Sequence, residues 1–89
     1  MNYKIEKHNI QRFASKEITI TITNCKRALL KNICNSWLLL KHNYNAMMYN
    51  PYYSQGELRL IAVVDEKDVH RHIDYWKQYL IDVENSFEK

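Results

Sequence analysis

The sequence predicts an α+β domain of two layers, (β)βαβα in order, in which two amphipathic helices pack on a small two- or three-stranded sheet. Residues 16–23 and 57–64 alternate apolar side chains with others, whereas 24–48 and 66–86 repeat apolar side chains every three or four positions. A period of two belongs to a strand and a period near 3.6 to a helix. Eighty-nine residues make one domain, 1–89, with room for a single core.

Taken in chain order, Tyr3 and Ile5 alternate with Lys4 and Glu6, which suggests a first strand, and residues 8–15 follow as a loop whose Ile10 and Phe13 reach back to the core. Ile18, Ile20 and Ile22 then alternate with Thr19, Thr21 and Thr23. A β-branched run of this kind is a half-buried strand with one apolar and one polar face. Thr23 or Asn24 can cap the helix that follows. On a helical wheel Leu29, Leu30, Ile33, Trp37, Leu40, Tyr44, Met47 and Met48 fall within about 100° of arc, so the helix is expected to run to Met48. Pro51 stops it, because the residue before a proline is pushed out of the α region.

Asn50 to Gly56 is expected as a loop, and it holds the only proline and the only glycine of the chain. In the next strand Leu58, Leu60, Ala62 and Val64 share one face, and Glu57, Arg59, Ile61 and Val63 the other. Asp65 is placed to cap the last helix, Glu66 and Asp68 suit its positive dipole end, and Val64 and Val69 can form a hydrophobic staple. Val69, Ile73, Trp76, Leu80, Val83 and Phe87 make its apolar stripe, with His72, Tyr75 and Tyr79 as a shoulder. Strand, helix and strand over 16–64 read as a crossover unit, expected to be right-handed.

Composition narrows function by exclusion. The longest apolar run, Trp37 to Leu40, is far short of the roughly 20 residues that span a bilayer. Lys4, Glu6, Lys7 and His8 stand where a secretory signal would be apolar, so a cytoplasmic location is expected. Cys25 and Cys34, on one helix, would lie about 900° apart and could not bridge each other, and no CxxC pair for zinc is present. Net charge is +3, with +6 over residues 1–45 and −3 over 46–89. Such a split attracts an acidic partner, permits self-association, or neutralises itself across the fold. Asn, Lys, Ile and Tyr supply 34 of the 89 residues, a bias toward A/T-rich codons that resembles small accessory proteins of phages and other mobile elements.

No chemistry-bearing motif emerges. One glycine cannot build a phosphate cradle. Within His70-Arg71-His72, two histidines at i and i+2 on a helix are about 200° apart and cannot share an ion. Asp68 with His72, and His70 with Asp74, have i, i+4 spacing and are expected as solvated helix-stabilising pairs. Cys25 at a helix N-terminus could have a lowered thiol pKa, yet no base is placed beside it. No enzyme activity, metal or cofactor is therefore expected.

What remains are surfaces. The stretch from Tyr44 to Gln55 holds four tyrosines and two methionines without a charge. Tyrosine gives large contact area at low entropy cost and methionine adapts its shape, so Met48, Tyr49, Tyr52 and Tyr53 are expected to bind a partner. The function expected is that of a protein-binding module, a modulator or inhibitor of a host or defence protein. The alternative is a small nucleic-acid-binding regulator using Arg12, Lys16, Arg27 and Lys31. A homodimer is expected through Ile61, Val63, Tyr75 and Tyr79.

Overall fold

A computed structural model describes residues 1–10, 14–43 and 47–87. Its strands are β1 (Asn2–Asn9), β2 (Ser15–Thr23), β3 (Met47–Met48), β4 (Tyr52–Ser54) and β5 (Glu57–Asp65), and its helices are α1 (Arg27–Asn43) and α2 (Val69–Phe87). The strands form one antiparallel sheet in the order β1-β2-β5, with β3 and β4 both on the far side of β5. The α+β class and the helices packed on a sheet are as the sequence predicts. The sheet is wider than two or three strands, because segments read as helix end and loop also pair with β5.

The central pair sets the register. Ile18 lies opposite Ala62, Ile20 opposite Leu60 and Ile22 opposite Leu58, and all six are buried. Directly opposed residues share a face, so this pairing makes one continuous apolar surface, called here the helix face. Each isoleucine buried there contributes roughly 1.5–3 kcal/mol. β1 adds Tyr3 opposite Ile22 and Ile5 opposite Ile20. The reverse, open face carries Thr19, Thr21, Thr23, Ile61 and Val63 as expected, with Lys4, Glu6, Glu17, Glu57 and Arg59 among them.

α1 buries Leu29, Ile33 and Trp37, and α2 buries Val69, His72, Trp76 and Leu80, each set spaced at three or four residues. The two tryptophan rings meet at 5.0 Å between centroids. Tyr79 ties the helices a turn further on: its hydroxyl lies 2.6 Å from Ser36 Oγ and donates to the Asn32 carbonyl at 3.3 Å.

Several expectations are corrected. α1 begins at Arg27, and Asn24 adopts φ 52° after β2, so neither Thr23 nor Asn24 caps it. The helix does not reach Met48: Met47 and Met48 pair with Val63 and Ala62 as β3. Tyr44 lies outside the described residues, as do Arg12 and Phe13. β4 and β5 close around Gln55 and Gly56, whose φ values of 52° and 77° are those of a tight type I′ hairpin, a turn that favours glycine. The strand that follows α1 in the direction of β2 is β3, and β5 lies antiparallel between them, so the crossover does not join β2 to β5. Ahead of α2 stands a single 3-10 turn, Glu66–Asp68, and the Asp65 side chain makes no capping bond. The Glu66 N–H donates instead to the Ala14 carbonyl at 2.7 Å. Val64 and Val69 are both buried, as a staple requires.

Candidate interaction surface

The sheet register decides which way the aromatic segment looks. Met47 pairs with Val63 and Tyr52 with Arg59, so both side chains stand on the open face. The Tyr49 N–H donates to the Ile61 carbonyl at 2.9 Å, which holds Tyr49 beside that strand just beyond β3. Its own carbonyl accepts from Trp37 Nε1 at 2.7 Å, so a core ring braces the segment from beneath. Lys41 Nζ donates to Asn50 Oδ1 at 2.8 Å and fixes the bend before Pro51.

The result is an apolar corner on the β3–β4 side of the open face. Met47 and Tyr52 are each 62% exposed and Tyr49 49%, while Ile61 and Val63 lie half-buried beside them. These residues are held by backbone pairing to a nine-residue strand rather than by a free loop. Large side chains displayed on a rigid frame lose little entropy when they bind.

The other sequence-predicted residues fall elsewhere. Met48 is 5% exposed, opposite Ala62 on the helix face, and belongs to the core rather than to a surface. Met47 takes the exposed role that the sequence suggested for Met48. Two adjacent apolar residues in a strand must face opposite ways, and only the pairing partner shows which faces out. Tyr53 pairs with Leu58, so it points to the helix side. There it borders a cleft of about 570 Å³ lined also by Asn24, Cys25, Lys26, Leu29 and Glu84.

The expected dimer surface is divided by the fold. Ile61 and Val63 face away from the helices, whereas Tyr75 stands 49% exposed on α2 and Tyr79 is taken up by Ser36 and Asn32. Among the basic residues, Arg27 and Lys31 are exposed on α1, and Lys16 sits on the helix face with its ammonium donating to Asn9 Oδ1. Lys16 and Arg27 flank opposite ends of β2, so about 23 Å of strand separates them. The cations on the open face are matched: Arg59 lies 3.2 Å from Glu57 and Lys4 3.5 Å from Glu6.

Titratable groups offer little chemistry. Burial pushes the Cys25 thiol above its ordinary value, more than the nearby α-amine pulls it down, so the lowering that a helix end could give is not seen. Burial raises the Cys34 thiol as well. His72 is buried rather than solvated. It is 3% exposed, its ring 6.2 Å from that of Trp37, and burial lowers its pKa to about 4. Among the described residues no three His, Cys, Asp or Glu side chains converge as a metal site, and no helix is long and apolar enough to cross a membrane. Comparisons with protein-family models, curated proteins and solved structures return no match.

Proposed function

We propose that the protein is a non-enzymatic binding module that recognises another protein through the apolar corner formed by Met47, Tyr49, Tyr52, Ile61 and Val63. The observation that carries this reading is the display of three large exposed side chains next to two half-buried aliphatic ones on a braced sheet margin. Interface centres are enriched in aromatic residues and methionine and depleted of charge, and this corner has that composition. A domain of this size with such a surface acts by covering part of its partner, as a modulator or inhibitor does. The A/T-codon bias fits an accessory protein of a phage or mobile element, with a cytoplasmic host or defence protein as its target.

Nucleic acid is the weaker partner. A strand-binding platform needs unpaired cations near its stacking rings, and here Arg59 and Lys4 are each matched by a carboxylate. The test is a binding comparison with the partner captured from host lysate in the presence of nuclease. Tyr49→Ala with Tyr52→Ala should weaken binding by about 2 kcal/mol or more while leaving the fold intact. Arg27→Glu with Lys31→Glu should matter little, and added salt should act modestly. Capture that nuclease abolishes, with a steep salt dependence and a large loss in the basic variant, overturns the reading.

A further inference from the structure

The two margins of the sheet are built differently. On the β5 side, β3 and β4 hold two and three residues, with Asn50 and Pro51 between them. Proline has no N–H to offer another strand, so that margin is a poor template for pairing. On the other side β1 is the outermost strand, eight residues long, with neither proline nor glycine. It pairs with β2 from Asn2 opposite Thr23 to Asn9 opposite Lys16 without a slip, so no bulge turns it away. Alternate residues of β1 therefore direct their N–H and C=O groups outward, away from β2. Natural sheets break, cover or charge such an edge, and β1 carries charge at Lys4, Glu6 and Lys7.

We propose that β1 pairs with β1 of a second copy of this chain, antiparallel and centred on Ile5, to make a two-fold dimer with a sheet continuous across the axis. Directly opposed residues in an antiparallel pair share a face, so the two-fold axis must pass through one residue of the strand. An axis at Lys4, Glu6 or Lys7 sets like charges face to face, which is destabilising. An axis at Tyr3 or His8 leaves only about three residues of the strand overlapping. At Ile5, Asn2 through His8 overlap and the charges match: Lys4 of each copy faces Glu6 of the other.

The Lys4–Glu6 pair already present within each strand, at 3.5 Å, then becomes a square of four alternating charges on the open face. On the helix face Ile5 meets Ile5, and Tyr3, 38% exposed, lies against the Lys7 stem. The same lysines that guard the edge against other registers select this one. An edge pairing of this length buries less than the roughly 1,200–2,000 Å² of stable complexes, so dissociation in the micromolar range is expected.

Sedimentation equilibrium from about 1 μM to 1 mM at low salt tests the proposal, since this range brackets a micromolar equilibrium. The wild-type mass should rise from 10.8 kDa toward twice that value. Glu6→Lys and Lys4→Glu should each weaken self-association at least about tenfold, because each replaces two attractive pairs by two repulsive ones. An equimolar mixture of the two variants should restore the dimer, as two lysines at positions 4 and 6 of one edge then meet two glutamates of the other, and the double swap in one chain should restore it too. Should either variant fail to fold, Ile5→Cys in a chain with Cys25→Ser and Cys34→Ser decides. It should cross-link to itself on mild oxidation, and Lys7→Cys in the same background should not. A mass of 10.8 kDa throughout, a dimer that both single variants retain, or a loss that mixing does not repair overturns the proposal.

Discussion

Acid should destabilise this protein through one buried residue, His72. His72 is 3% exposed and its pKa falls from 6.5 to about 4 because burial disfavours the imidazolium. The unfolded chain therefore takes up the proton first as pH falls. The stability tied to neutral His72 is complete above pH 6.5, declines below it, and is lost once the pH passes the folded pKa near 4. At roughly 1.4 kcal/mol per pH unit the full effect is bounded at about 3 kcal/mol, of which about 2 kcal/mol falls between pH 7.5 and 5. The assay is urea denaturation of wild type and His72→Leu across that interval, with the imidazole titrated in parallel by NMR. Wild type should lose about 2 kcal/mol more than the variant over this range, whatever the variant's stability at pH 7.5. Parallel pH profiles, or a His72 titration near 6.5, would refute the reasoning.

The tryptophan pair and the hairpin turn give sharp expectations of their own. Trp37→Ala and Trp76→Ala should each cost about 3–5 kcal/mol in denaturation, because both rings are fully enclosed and each supports the other. Trp37→Phe keeps most of the volume but leaves the Tyr49 carbonyl without its donor, so a loss of about 1–3 kcal/mol should be accompanied by weaker protection of the 47–49 segment in hydrogen exchange. Gly56→Ala should cost about 1 kcal/mol through backbone strain alone, since φ is 77° and nothing lies within 4 Å of the added methyl; an unchanged melting temperature would contradict the turn geometry.

Legibility in the sequence followed how many constraints acted on each residue. Ile18 to Thr23 could be read outright, because β2 is paired on both sides and its two faces have opposite fates. The stripes of α1 and α2 were legible for the same reason. Met47 and Met48 were not: both positions also fit the apolar arc of the preceding helix, and only pairing with Val63 and Ala62 settles them as strand. Tyr52 to Ser54 was hidden by Pro51, whose missing N–H is harmless on an outer margin but reads as a break in isolation. His72 carried a misleading signal, with an aspartate four residues before it. Its spacing of four to Trp76 and eight to Leu80, both buried, was the better guide. The tyrosine-rich segment stood out as a surface by its lack of charge, but which tyrosines share a face depends on a register that composition cannot supply. Tyr52 and Tyr53 are neighbours in sequence and point to opposite sides of the sheet.

The charges on β1 and the proline beside β4 bear on one physical problem, since a sheet with open margins must settle which of them admits another strand. Pro51 and the two short strands disfavour main-chain pairing at the aromatic margin, so the recognition proposed there would fall to side chains: Met47, Tyr49 and Tyr52 project from it while β5 holds them in place. At the opposite margin the backbone is unbroken and the side chains are ordinary, so what could be recognised there is register, written in the order Lys4, Ile5, Glu6. In the dimer proposed here the two-fold axis stands perpendicular to the sheet, so both apolar corners lie on the same face of one continuous sheet, turned from one another by its twist. Seven inter-strand steps separate one β3 from the other, a distance of about 34 Å at the usual strand spacing. A target presenting two equivalent sites at that separation would engage both corners at once, and the second contact would form at the high effective concentration of an intramolecular event. A weak edge pairing would then be sufficient, because the target itself would hold the two copies together.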